Sequence, residues 1–217
     1  MRAVACTALI SLSLLYVSCG SEKPSTGPRP SPTATVEAQV TLGNRSVTDM
    51  VGRALRVPDS LSRVVAITPS AADFAAALGL DVVGRSTDAA APAVAAAPTV
   101  GSSLAPDFNA IAALKPDLVI GDAAFDGARL RDFERFAYPV FLLKVSSYDD
   151  VLLALVALGD AIGRTQQGRD AAAAIEIGVA DLVRPLARNV PPTVIILTGS
   201  GREVYAGSDQ TYIGSLV

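Results

Sequence analysis

The sequence predicts an α/β fold built on a mainly parallel sheet. Three observations predict it: short β-branched strands such as Val64-Val65-Ala66-Ile67-Thr68 and Pro116-Asp117-Leu118-Val119-Ile120, apolar helical segments alternating with them, and small polar residues wherever a strand ends. In such a sheet the carboxyl ends of the strands converge on one edge, and the loops leaving them form the crevice where ligands sit. Five such loops are legible.

Met1-Arg2 gives a positive start, Ala3 to Val17 is a mainly apolar run, and Ser18-Cys19-Gly20 closes it, the pattern of a secretory signal. Roughly 15 apolar residues are too few to span a bilayer comfortably. Tyr16-Val17-Ser18-Cys19 resembles the bacterial lipoprotein cleavage motif, in which the cysteine receives acyl chains; Tyr16 departs from its usual Leu. An ordinary signal peptide with an incidental cysteine is the alternative. Each buried acyl methylene contributes roughly 0.8 kcal/mol, so several chains on Cys19 would hold the protein at a membrane. Pro24, Pro28, Pro30 and Pro32 then mark an extended tether rich in Pro, Ser and Thr. The expected division is a leader over 1–18, a tether over 19–46, an α/β lobe over 47–147, a helical region over 148–190 and the start of a second α/β lobe over 191–217.

After a turn near Gly52, strand 64–68 leads through Pro69, which breaks it, into a helix over 71–78 with Ser70 as a candidate cap. Gly79 ends that helix and 81–84 returns as a strand, a βαβ unit in miniature. Residues 89–98, almost all Ala and Pro, predict a compact surface excursion. Asp107 opens a short helix that Lys115-Pro116 stops, strand 117–120 exits at Gly121-Asp122, and a helix near 128–136 precedes strand 140–143. Val151, Leu155, Leu158 and Ile162 share one face of the next helix. Thr165 is a candidate cap for a further helix striped by Ile175, Val179, Leu182 and Leu186. About 20 residues would make a rod of roughly 30 Å, enough to cross between lobes. Strand 193–197 then runs into Thr198-Gly199-Ser200-Gly201, repeating the earlier pattern.

With half its 217 residues apolar, the chain can bury a proper core. Its net charge of −3 gives nucleic acid no basic surface. It contains no histidine, which removes histidine-based nucleophilic catalysis, histidine metal ligation and a neutral-pH histidine switch. The two cysteines, Cys6 and Cys19, both lie in the first 20 residues, so no disulfide framework supports the globular part.

Val47-Thr48-Asp49 with Gly52-Arg53 and Val57-Pro58, Arg63-Val64-Val65 to Pro69-Ser70, Ala77-Leu78-Gly79-Leu80, Val83-Gly84, Val100-Gly101 and Ala113-Leu114-Lys115-Pro116-Asp117-Leu118-Val119 stand in an order and spacing that matter together. As a set they resemble the substrate-binding proteins of bacterial ABC importers for ferric siderophores, cobalamin and haem. The resemblance implies a two-lobed periplasmic-binding-protein fold, a rigid connecting helix from about Thr165, and a monomer outside the cytoplasmic membrane. It implies no cofactor and no catalysis, and an ABC permease and ATPase as partners. Relatives usually run longer, so the second lobe is expected to be incomplete and the chain carboxyl-terminally truncated, with weak binding or low stability. A glutamate that docks relatives onto the permease is matched here by Asn109, with Asp107 as a nearby substitute.

The candidate ligand-facing residues are Thr68, Ser70, Ser86, Thr87, Asp88, Ser102, Ser103, Asp122, Ser146 and Ser147, with Ser200, Arg202 and Tyr205 on the second lobe. Hydroxyls and amides suit a ligand that is already chelated, because they bond its periphery without competing for its metal. Arg85 or Arg202 would pair with an anionic chelate. Competing readings remain open: Ser70 as a helix cap, Asp88 and Asp122 as turn residues, Arg85 as a surface charge. Asp117 and Asp122 stand at opposite ends of one strand, more than roughly 10 Å apart, which argues against a shared bare metal ion with Asp126. Gly199-Ser200-Gly201 lacks the Lys-Ser/Thr of a phosphate loop. The function expected is capture of a metal chelate, with ferric siderophore preferred. The rival readings are an exported α/β enzyme and a surface-anchored interaction protein.

Overall fold

The computed structural model describes residues 45–135, 138–186, 190, 193–200, 203–208 and 213–214. The chain divides into two units, Met1–Ala38 and Gln39–Val217, and the described residues all belong to the second.

Strands β1 (Arg45–Thr48) and β2 (Ala54–Val57) form an antiparallel hairpin. β3 (Val64–Ala66) leads into helix α1 (Pro69–Ala77), and β4 (Val82–Arg85) returns beside β3. A small hairpin, β5 (Gly101–Ser102) with β6 (Ala105–Pro106), precedes α2 (Phe108–Ala113). β7 (Leu118–Asp122) is followed by α3 (Ala123–Asp126), a 3-10 turn, α4 (Leu130–Phe133) and β8 (Val140–Leu143). The helical pair α5 (Tyr148–Ala161) and α6 (Thr165–Val183) comes next, then the antiparallel hairpin β9 (Ile196–Ser200) and β10 (Glu203–Gly207).

The central sheet has the order β4-β3-β7-β8 and is parallel throughout. Its inner strands are apolar on both faces because both faces are covered. Val64, Ala66, Leu118, Ile120, Phe141 and Leu143 face a core shared with α1 and with Leu155 and Leu158 of α5. The alternate residues Val65, Ile67, Val119, Val140 and Leu142 face a second core with Ile111 and Phe133. Burying each such side chain contributes roughly 1.5–3 kcal/mol, and these two layers fix the sheet whose edge carries the site.

Several elements differ from the sequence-based expectation for identifiable reasons. Pro69 occupies the first turn of α1, so the cap is the residue before it: Thr68 accepts from the Ala71 N–H at 3.2 Å, and Ser70 is not the cap. The helix expected near 128–136 is the short α4, and a further helix, α3, precedes it because Asp122 caps α3 directly from the strand. Residues 89–98 are more than a surface excursion, since Ala89 and Val94 are buried in the core. The last long helix starts at Thr165 itself, preceded by Arg164, and Thr165 caps nothing. Along its stripe Ile175 packs on the core while Leu182 and Leu186 are exposed. Thr198 to Ser200 lie inside β9, whose partner is an antiparallel neighbour, so the strand-then-loop pattern of the first lobe is not repeated there.

Candidate functional site

Three of the polar residues at the carboxyl edge have helix-capping duties. Thr68 caps α1, Asp122 caps α3 through the Ala124 N–H at 2.9 Å, and Ser147 caps α5 through the Asp150 N–H at 3.2 Å. A parallel strand that turns directly into a helix needs such a residue at the junction, because the first helical N–H groups have no internal partner. The same arrangement sets polar groups on one edge of the sheet.

Above that edge lies a cleft of about 880 Å³. Ser70, Asp88, Ser103 and Asp122 line it among the residues expected from sequence. Ser70 links the loops, with its hydroxyl 3.1 Å from Thr68 Oγ1 and donating to Asp122 Oδ2 at 3.2 Å. Asp88 accepts from the Ser103 N–H at 3.2 Å and from the Ser103 hydroxyl, joining the loop after β4 to the β5–β6 turn. Partial burial pushes the Asp88 carboxyl up, but hydrogen bonds from Ser103, from its own backbone and from Ser86 outweigh it, so its pKa lies below the ordinary value.

The other candidates stand apart from the lining. Thr68 and Ser86 are buried behind it and Thr87 is exposed beside it. Ser102 accepts from the Ala105 N–H at 3.1 Å and shapes the β5–β6 turn. Gly101, at φ 92°, makes that turn possible, because an added Cβ would strike the Ala105 and Asp107 backbone. Ser146 is exposed and donates its N–H to Asp150 at 2.8 Å. Arg85 turns its Nη1 onto the carbonyls of Ser86 at 3.1 Å and Ala89 at 3.2 Å, so it braces its own loop and no charge is held toward the cleft. Tyr205 is exposed on β10 with its hydroxyl on Glu203. Ser200 ends β9, while Arg202 and Cys19 lie outside the described residues.

Away from the cleft, Asp107 caps α2 through the Asn109 and Ala110 N–H groups, both at 3.0 Å. Asn109 lines a depression of about 330 Å³ with Phe108, Asp132 and Arg135. Asp117 receives the Ser62 and Arg63 N–H groups at 2.9 and 3.0 Å, a structural tie at the other end of β7 from Asp122. Among the described residues no group of three acidic or cysteine side chains is placed to hold a metal ion.

Sequence reasoning missed the cleft's apolar wall. Phe74 and Ala77 of α1, Leu104, Phe125, Val145, Val151 and Leu155 of α5, and Ile175 of α6 all line it, as does the carboxylate of Asp73. At helical spacing these residues read as ordinary core. Asp126, weighed from the sequence only as a metal ligand, is instead buried and receives the Asp122 N–H at 3.0 Å. Burial pushes its carboxyl up to about 6, against the Asp122 N–H and the Arg129 guanidinium, which lower it, and with the Asp122 charge, which raises it. Arg129 lies 3.7 Å from Asp126 and donates to the carbonyl of Ser103 at 2.9 Å and to that of Leu104, bracing the rim.

A crevice of mixed apolar and polar lining at the carboxyl edge of a parallel sheet is the form of a ligand-binding α/β lobe. The family model described as periplasmic binding protein matches residues 64–217, and the chain belongs to that family. Solved structures share the fold. An ABC transporter substrate-binding protein from Listeria monocytogenes EGD-e is similar with a TM-score of 0.62 and 23% identity, over 71% of this chain and 61% of that one. The siderophore-binding protein BauB, bound to ferric iron and two molecules of acinetobactin, has a TM-score of 0.65 and 17% identity, over 78% and 64%. IsdE of S. aureus complexed with haem has a TM-score of 0.57 and 20% identity, over 70% and 60%. The chain thus spans about 60–64% of these proteins' lengths. No curated protein matches the sequence. Among the described residues no helix is long and apolar enough to cross a membrane.

Proposed function

We propose that this chain is the extracytoplasmic solute-binding component of an ABC importer, capturing a metal chelate and delivering it to a permease and ATPase. The chelate is a ferric siderophore or a related cobalamin or haem, held as a preformed complex. The observation that carries the reading is the cleft of about 880 Å³ at the carboxyl edge of the sheet, its wall apolar and its floor made of Ser70, Asp88, Ser103 and Asp122. That volume suits one compact ligand, and its mixture of apolar surface with a few fixed polar groups suits recognition without chemistry. Family membership and the fold shared with chelate-binding proteins support the same reading.

In this reading Ser86, Thr87, Ser102, Ser146 and Ser147 shape the rim, and Ser200, Arg202 and Tyr205 belong to the facing lobe. Asp107 and Asn109 contact the permease. Cys19 carries lipid, the Pro/Ser/Thr-rich segment over 19–46 is a tether, and the protein works as a monomer. Calorimetric titration with ferric siderophores, cobalamin and haem tests the central claim, with saturable binding of at least one expected. Failure with all three, together with turnover of a small substrate, overturns it in favour of an enzyme. Loss of radiolabelled fatty-acid incorporation in Cys19→Ser tests the anchor.

A further inference from the structure

The charged side chains lining the cleft are Asp73, Asp88 and Asp122, and among the described residues no lysine or arginine lines it. Arg85 lies on the Ser86 and Ala89 carbonyls, and Arg129 on the Ser103 and Leu104 carbonyls beside the buried Asp126, so both keep their charge near the rim but neither lines the cleft. Lys144, exposed at the end of β8, does not line the cleft, and Asp149 and Asp150 in the first turn of α5 add further negative charge to the same edge. A concave wall of one sign with apolar flanks focuses its potential inward, so a ligand entering here meets a negative field beside apolar surface.

From this arrangement we infer that the lobe selects a cationic ligand, a chelate presenting an ammonium or other positive group to Asp73 and Asp88, over an anionic chelate of the same metal core. The inference rests on the receptor reading above and names the charge of its ligand. A carboxylate or catecholate periphery would meet the three carboxylates of this wall, which outnumber the guanidinium groups beside it. A positive group would find Asp88 already fixed by Ser103, and Asp73 exposed on α1 within the same wall.

The test uses one ferric trihydroxamate core in three forms: a free terminal ammonium, the same amine acetylated, and the same amine succinylated to carry a carboxylate. Affinity is expected to fall in that order, by about tenfold for each unit of charge, as Coulomb energies a few ångströms apart at a partly solvated site imply. Added salt should weaken the ammonium form and narrow the series. Asp73→Asn, at an exposed helical position, should shrink the spread several-fold without changing the melting temperature. Equal affinity across the series, or preference for the succinylated form, overturns the inference and leaves the receptor reading standing. If only a corrinoid core binds, its neutral amide and monocarboxylate forms are compared in the same way, and tighter binding of the acid is again contrary. Binding of haem alone, with its two propionates, also overturns the inference. Failure of every core removes the receptor reading and the inference with it.

Discussion

Arg53 grips the buried carboxylate of Asp49, its Nη2 at 2.5 Å and its Nε at 2.9 Å from Oδ2. The same carboxylate takes the Arg53 N–H at 2.8 Å and the Val51 N–H at 3.2 Å on Oδ1, and Arg53 Nη2 donates to the Val140 carbonyl at 2.8 Å. Gly52, at φ 83°, lets the chain turn tightly between them. One ion pair therefore closes the β1–β2 turn and fastens it to β8.

Asp49→Ala leaves the Arg53 guanidinium and two turn N–H groups without their acceptor. Breaking one partner of a largely buried, hydrogen-bonded pair costs about 2–4 kcal/mol. Urea unfolding should show that loss at unchanged slope. Asp49→Asn, which keeps one acceptor oxygen for the turn, should fall between the two.

Helices α5 and α6 meet backbone to backbone at Gly159 and Gly168. A Cβ at Gly168 would fall 2.5 Å from the Leu155 carbonyl oxygen, an atom that no rotamer change can move. Gly168→Ala should destabilise by roughly 2–3 kcal/mol, as overpacked cores do. Because Ile175 of α6 and Leu155 of α5 both line the cleft, displacement of α6 should also weaken ligand capture. Gly178, where an added Cβ meets nothing within 4 Å, is the control. Gly178→Ala should stabilise by about 0.5–1 kcal/mol through helix propensity.

Arg129 reaches two successive carbonyls, Ser103 and Leu104, with a planar fork that lysine lacks. Arg129→Lys should loosen the β5–β6 turn while leaving the sheet intact. The Ser103 amide, bonded to Asp88, is the local probe. Its hydrogen exchange should accelerate by about tenfold, matching one net hydrogen bond of ~1–1.5 kcal/mol, with exchange of the β7 amides unchanged.

The sheet was legible because β3, β7 and β8 are short β-branched or apolar runs that stop at turn or capping residues, a local signal. Thr68 and Ser70 show the limit of that signal. Both hydroxyls flank Pro69, and the proline's place in the first helical turn selects Thr68 as cap, leaving Ser70 free to reach Asp122. The β1–β2 hairpin escaped notice because its strands, Arg45–Thr48 and Ala54–Val57, mix charged or polar residues with apolar ones and are joined by a turn held by the Asp49–Arg53 pair. In the cleft, capping residues announce the floor, but Phe74, Leu155 and Ile175 come from three helices whose convergence is a tertiary fact. Side-chain direction was equally hidden: Arg85 reads as a charge at the crevice and bends back onto its own loop.

Asp126 makes the stability of the lobe depend on pH in a direction opposite to most carboxylates. Burial lifts its pKa from 3.8 to about 6, so between those values the folded chain binds a proton that the unfolded chain has released. Stability contributed by the protonated group is therefore full below about pH 4 and is lost as pH rises through about 6. The whole excursion amounts to on the order of 3 kcal/mol, from about 1.4 kcal/mol per tenfold change in proton affinity. Asp126→Asn retains an oxygen for the Asp122 N–H and cannot ionise. Relative to the parent, it should gain stability as pH rises from 4 to 7, and the difference between the two chemical-denaturation profiles isolates this one group from the other carboxylates. A constant difference across that range would show that Asp126 ionises as freely in the folded chain as in the unfolded one, and that the Arg129 contact at 3.7 Å compensates its burial in full.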